Sequence, residues 1–282
     1  MIDLFEKTEQ RSLVDEVREL DIYPYFHALE SRQDVEVIME GKRRIMLGSN
    51  NYLGLTTDEE VIEAGIAAFR QYGSGCSGSR FLNGTLEMHL ELEAELAKFL
   101  RKDAVVTFST GFQSNLGIIS AVVGRNDYMI CDRENHASIY DGCRLSFGKM
   151  LRYKHNDMAD LERQLQKVPE TAGALIITDG VFSMGGDIAN LPEIVRLAKQ
   201  YGARVMVDDA HGLASWARAA AAPRATSGSR TRWTSTWAPS PRRSPRSAAT
   251  WRRARAWRTM CATAPVRSSS RPRSPRRAAL RR

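Results

Sequence analysis

Over residues 1–212 the apolar positions follow two alternating rhythms. Short apolar runs have the length and make-up of buried strands: "AVVTF" at 104–108, "YMIC" at 128–131, "MLRY" at 150–153, "ALIIT" at 174–178 and "RVMVD" at 204–208. Helical spacing marks "DEEVIEAGIAAFRQYG", which closes on Gly73, and "TLEMHLELEAELAKFLRK". The same spacing recurs in "QSNLGIISAVV", "DLERQLQKV" and "NLPEIVRLAKQYG". Val35–Met39 and Arg44–Leu47 flank "EGK" and predict a small hairpin. Repeated strand–helix units predict an α/β fold with a mostly parallel sheet covered on both faces, an αβα layering. No internal repeat is visible. The pattern divides the chain into an N-terminal helix and hairpin segment (1–50), a large domain (51–212) and a tail (213–282).

The rhythm stops in the tail. Residues 213–282 hold 18 Arg and no Lys, Asp or Glu, whereas the first 212 residues hold 23 basic and all 33 acidic residues. The formal net charge of +8 thus joins a body of −10 to a tail of +18. All five Trp and seven of the ten Pro lie in the tail, where Leu213, Val266 and Leu280 are the only Leu, Ile, Val or Phe. Such a segment buries too little apolar surface to offset its ordering entropy, so a disordered basic tail is expected. No secretory segment follows Met1 and no apolar run reaches the roughly 20 residues of a membrane span, which predicts a cytoplasmic protein. Cys76, Cys131, Cys143 and Cys261 lack zinc-type spacing; no metal site is expected, and they read as buried thiols.

In parallel sheets ligands bind beyond the carboxyl ends of the strands, and those ends carry the candidate chemistry. After "AVVTF", Ser109-Thr110-Gly111-Phe112 leads into a helix whose free N–H groups suit a phosphate, although an ordinary helix start needs the same residues. After "YMICD" comes His136, placed to stack on a planar ring or, more economically, to cap a helix. Asp208, Asp209 and His211 end the last apolar run, and two carboxylates there are costly unless something cationic meets them. Ser183, after "ALIITDGVF", is a fourth strand-end polar group with little in its spacing to single it out. A phosphate anchor, a stacking His and a buried Asp together describe a pyridoxal phosphate site, because that cofactor needs a carboxylate to keep its ring nitrogen protonated.

The segments "GSNNYLGL", "SGSRFLNGT", "LELEAELAKFL", "STGFQSN", "NHASIYDG", "TDGVFSMGGDIANLPEI" and "VMVDDAHG" closely resemble the α-oxoamine synthases, from about residue 20 to Leu213. The resemblance implies the large domain of the fold-type-I, pyridoxal phosphate-dependent transferases, and a homodimer that condenses an amino acid with an acyl-CoA and releases carbon dioxide. It also implies roles: the amides of Gly111 and Phe112 hold the phosphate, His136 stacks on the ring, Ser183 and His211 bond near the ring oxygen, and Asp208 pairs with the ring nitrogen. His136 and Asp208 are then the catalytic residues. "SRFLNGT", "FSTGFQSNL", "GRNDY" and "RLSF" point to the branch that joins L-serine to a long-chain acyl-CoA such as palmitoyl-CoA. The glycine-using C-acetyltransferases and 8-amino-7-oxononanoate synthases are its neighbours.

The family continues past Asp-Asp-Ala-His to Thr-Phe-Ser-Lys, whose Lys carries the cofactor covalently; no Lys follows Lys199 here. Arg is no substitute, being protonated at any workable pH and not a nucleophile. A one-base frame shift accounts for the loss. "WAPSPRRS" at 237–244 admits a codon choice that regroups to Met-Gly-Thr-Phe-Ser-Lys-Thr-Leu, the Lys codon straddling Pro241 and Arg242. "ASWARAA" from Ala214 regroups likewise to Gly-Val-Leu-Gly-Glu-Gly-Gly. The chain is therefore expected to be a truncated large domain with an out-of-frame tail and no synthase activity of its own. The rival readings are a nucleic-acid-binding arm of Arg and Trp, and a subunit that pairs without a Lys. A nucleic-acid partner is not expected, because the tail starts inside a motif rather than at a linker.

Overall fold

A computed structural model of the chain describes residues 3–9, 11–100 and 102–213. The expectations for the tail fall outside these residues. The chain divides into two compact units, Met1–Gly75 and Cys76 onward. The boundary lies in "GSGCSG", where Gly73 closes a helix at φ 82° and small residues follow.

The first unit holds α1 (Glu6–Glu9), α2 (Leu13–Glu19), β1 (Glu36–Met39), β2 (Lys42–Ile45) and α3 (Glu59–Tyr72). The β1–β2 hairpin forms as expected, but Lys42 belongs to β2, leaving Glu40 and Gly41 as a two-residue turn. Both have positive φ (51° and 68°), the geometry that matches strand twist in tight hairpins. Asp58 caps α3 by accepting from the amides of Glu60 and Val61.

The described part of the second unit contains α4 (Glu87–Leu100), α5 (Gly111–Val122), β3 (Tyr128–Asp132), α6 (Ala137–Leu145), β4 (Lys149–Tyr153), α7 (Met158–Leu165), β5 (Ala174–Asp179), α8 (Leu191–Gln200) and β6 (Arg204–Asp208). The sheet is parallel, in the order β4-β3-β5-β6. Alternate residues of each strand serve opposite faces. Met129, Cys131, Leu175, Ile177 and Met206 pack with Ile118, Ile119, Ile139 and Cys143 of α5 and α6. Ile130, Ile176 and Val205 pack with Leu161, Leu165, Ile194 and Leu197 of α7 and α8. The αβα architecture follows from this two-sided burial. At Gly142 α6 comes so near α5 that a Cβ would lie 2.9 Å from the carbonyl oxygen of Asn115, so only glycine permits the approach.

One expected strand is absent. "AVVTF" at 104–108 is irregular, and four runs rather than five form strands. The amide of Thr107 donates to Glu93 Oε1 (2.9 Å), and Arg80 bridges Glu93 Oε1 (2.5 Å) and Thr107 Oγ1 (2.9 Å). A strand exists only through a neighbour, and among the described residues a helix carboxylate takes that place. Burial alone would raise the Glu93 pKa, but Arg80 and the Thr107 amide outweigh it and hold the carboxyl below its ordinary range.

Ile176 is fully buried at the centre of β5. Ile176→Ala should cost about 2–5 kcal/mol, read as a lower urea midpoint by far-ultraviolet circular dichroism. An unchanged midpoint would mean that this face is not the core.

Candidate active site

From β3 the chain crosses to β4 on one side of the sheet and then to β5 on the other, so the strand order reverses between β3 and β5. A crevice opens beyond the carboxyl ends at such a point. Asn135 spans it: its Nδ2 donates to the Ile177 carbonyl (2.8 Å) and its Oδ1 accepts from the Asp179 amide (3.0 Å). A cleft of ≈ 490 Å³ lies here, within the usual range for small-molecule sites. Its lining includes Gly111, Phe112, His136, Ser183, Asp208 and His211. All six candidates therefore meet in one cavity.

Each arrives for a local reason. Thr110 caps α5: its Oγ1 accepts from the Gln113 amide (3.1 Å) and its carbonyl from the Ser114 amide (3.1 Å). The amides of Gly111 and Phe112 find no acceptor among the described residues, which leaves two first-turn donors at the positive end of a 12-residue helix. His136 caps α6, as the residues alone favoured, and still lines the cleft. Its Nδ1 accepts from the Ser138 amide (3.2 Å) and lies 2.7 Å from Ser138 Oγ. That places the ring proton of a neutral His136 on Nε2. Ser183 lies exposed in the loop after β5, and His211 is half-buried in the turn after β6 and engaged in an interaction.

Asn115 is the residue that sequence reasoning missed. Its Nδ2 donates to Asp208 Oδ2 (2.7 Å) and to Ser138 Oγ (2.9 Å), while the Asp208 Oδ1 accepts from the Ala210 amide (3.2 Å). One amide group thus aims the Asp208 carboxylate and, through Ser138, the His136 ring. A signal was present. Asn115 stands on the apolar stripe of α5 with Ile118, Ile119 and Val122, where a buried polar side chain demands partners.

The floor is acidic. Asp179 and Asp209 are buried, and each keeps one carboxylate oxygen (Oδ1) without a hydrogen-bond partner. Burial first, and the negative charge of Asp208 second, push both to about 7. For Asp179 the His136 amide, 3.1 Å from its Oδ2, opposes the rise. No Lys or Arg among the described residues contributes to either balance. The cleft therefore presents amide donors at one end and uncompensated carboxylates at its floor, a fit for a ligand that is anionic at one point and cationic at another. Cys131 and Cys143 are buried as expected, with their sulfurs 3.6 Å apart; Cys76 is exposed.

The family model of aminotransferase class I and II matches residues 42–233. The chain belongs to that family. Serine palmitoyltransferase of Bacteroides thetaiotaomicron is 60% identical over 210 residues, covering 74% of this chain and 53% of the relative. The 8-amino-7-oxononanoate synthase of Geobacter sulfurreducens is 46% identical over 199 residues, 71% of this chain and 51% of the relative. Among solved structures, a serine palmitoyltransferase variant from S. paucimobilis with bound PLP–myriocin aldimine superposes with a TM-score of 0.77 at 38% identity, covering 82% of this chain and 59% of that chain. Sphingomonas wittichii serine palmitoyltransferase gives 0.71 at 41%, covering 76% and 54%. The chain spans about half the length of the curated relatives it matches.

The acidic floor of this aminotransferase-family cleft has a measurable consequence. An Asp whose folded pKa is raised holds a proton that the unfolded chain has shed, so stability falls as pH rises from about 4 to about 7. Asp209→Asn should flatten that fall and raise stability at pH 8 by on the order of 2 kcal/mol, with little effect at pH 4.5. Urea midpoints at the two pH values measure it; an equal effect at both would remove the buried charge as the cause.

Proposed function

We propose that the cleft is a pyridoxal phosphate site and that the intact protein joins L-serine to a long-chain acyl-CoA such as palmitoyl-CoA, with loss of carbon dioxide, to give 3-ketosphinganine. The observation that carries this reading is the convergence, at one sheet switch point, of two open helix amides, a fixed carboxylate and a capped imidazole. Three Bacteroides and Sphingobacterium serine palmitoyltransferases reach 54–60% identity over 210 residues, against 46–48% for two 8-amino-7-oxononanoate synthases and 44–45% for two other serine palmitoyltransferases; the highest of these identities support serine and a long acyl chain. The same proposal takes the intact protein as a homodimer, as the α-oxoamine synthase resemblance implies, working in the cytoplasm. No helix among the described residues is long and apolar enough to cross a membrane.

Bound there, pyridoxal phosphate supplies an electron sink for negative charge at the substrate α-carbon. The chain's own residues prepare the cleft for it. Gly111 and Phe112 receive the phosphate on backbone amides, where the α5 dipole favours negative charge. Asp208, held by Asn115 and the Ala210 amide, supplies the carboxylate for a cationic ring nitrogen. The unpartnered oxygens of Asp179 and Asp209 line the same floor, where a cationic ring nitrogen would favour their ionised forms. His136 offers its ring face from a fixed cap, with Nε2–H directed away from Ser138. Ser183 and His211, which line the cleft from the loops after β5 and β6, would meet the polar edge of the ring.

The chain as given lacks the Lys that would bind the cofactor covalently, since none follows Lys199, which the proposed frame shift of the tail accounts for. Lys149 begins β4 and is not among the cleft residues, and neither is Lys154. The 282-residue chain should therefore bind pyridoxal phosphate reversibly, keep no adduct after borohydride and make no product from serine and palmitoyl-CoA. Asp208→Asn should weaken that reversible binding about 10- to 100-fold, the worth of a hydrogen bond between charged groups. Equilibrium dialysis with mass spectrometry decides. A stable reduced adduct on a body Lys, or unchanged affinity in the variant, would overturn the assignment.

A further inference from the structure

Beside the cleft lies a second cluster of titratable groups. His155 follows β4, and both of its ring nitrogens face carboxylates: Nδ1 is 2.9 Å from Asp132 Oδ1 and Nε2 is 2.8 Å from Asp187 Oδ2. Asp132 ends β3 and is almost fully buried. Asp187 belongs to the loop after β5 that carries Ser183. The imidazole meets the ring of Phe182, from the same loop, edge to face at 4.5 Å. Asn156 continues the clasp at a left-handed φ of 51°. Its amide donates to Asp132 Oδ2 (2.9 Å), its Nδ2 to the Ile188 carbonyl (3.0 Å), and its Oδ1 accepts from the Asn190 amide (3.0 Å). One dipeptide thus reaches from β4 across the end of β3 and grips the loop at both ends.

The protonation state follows from donor counting. A neutral imidazole has one N–H, and carboxylates only accept, so bonds to two of them require the imidazolium. Asp132 also accepts from the Glu134 amide (2.9 Å) and the Asn156 amide (2.9 Å), so its oxygens are met only by donors. We propose that His155 is a positioning residue: as an imidazolium between Asp132 and Asp187 it fixes the loop 181–188, and with it Ser183, at the mouth of the cleft. Its effect on the cofactor rests on the pyridoxal phosphate reading above, whereas its effect on the loop does not.

The clasp should respond to pH. Burial alone would lower the His155 pKa, but Asp132 and Asp187 outweigh it and hold it above the ordinary value near 6.5. The groups facing it are Asp132 from β3 and Asp187 from the loop, with Phe182 on one side; Tyr153, near Asp132, stays protonated because burial pushes its phenol well up. Because the folded pKa is raised, the clasp is complete below the ordinary value and loses one bond as pH rises through the His155 midpoint.

The test uses the 282-residue chain with carbon-13 histidine, and His155→Gln identifies the His155 signal among the five His. His155 should titrate above about 6.5, and Asp187→Asn should lower its midpoint. In the loop, Phe182, Gly186 and Ala189 amides bond to Asp187, Phe182 and Gly180 carbonyls. Their hydrogen exchange, corrected for its intrinsic pH dependence, should quicken on the order of tenfold above the midpoint. In His155→Gln it should be fast at every pH, with β5 amides still protected. If His155→Gln also exposes β5, Asp187→Asn, which keeps the Asp132 bond, carries the comparison. Weaker pyridoxal phosphate binding in the same variants extends the effect to the cleft; unchanged binding with a loosened loop would reject only that extension. Loop exchange that ignores the His155 midpoint, or equals the parent chain in Asp187→Asn, would overturn the proposal.

Discussion

The site depends on the parallel pairing of β3 with β5. Because β4 lies on the far side of β3, this pairing forces the reversal of strand order and splays the connections that leave the two carboxyl ends. Asn135 ties those ends together with both ends of its amide, so the crevice has a fixed width before any ligand arrives. The β5–β6 pairing then sets Asp208 opposite Asp179 in register, which brings two carboxylates to one level of the sheet. Helix α5, packed on the same face through Ile118 and Ile119, turns its amino end to that level.

This arrangement carries an electrostatic cost that makes functional sense. Three carboxylates share a partly buried floor, and two of them, Asp179 and Asp209, are pushed to about 7 with no described Lys or Arg to lower either. A fold selected for stability alone would pair or remove such groups. Unpaired carboxylates at a strand end suit a cation, and the open amides of Gly111 and Phe112 suit an anion at the other end. Asn115 couples the two halves, since it stands on α5 and holds Asp208.

Much of this was legible in residue order. Strand ends bearing His136, Asp208 and His211 follow directly from apolar runs trailed by polar groups, and all six candidates lie in one cleft. "AVVTF" misled because its apolar content satisfied the pattern of a strand, while its backbone partner is the carboxylate of Glu93, which period alone does not reveal. Asn115 was visible as a polar break in an apolar helical stripe, yet its two partners lie 23 and 93 residues away. His155 was invisible for the same reason: its clasp exists only once β3, β4 and the loop after β5 have met.

The central claim is that the Asp208 carboxylate, aimed by Asn115, keeps a bound pyridine nitrogen protonated. Nitrogen-15 chemical shifts of ring-labelled pyridoxal phosphate, bound to this chain and to Asp208→Asn, measure that most directly. The account predicts a ring nitrogen that stays protonated to higher pH on the parent chain than in free solution, and that reverts toward the free value in the variant. The same titration curve on both chains would contradict it.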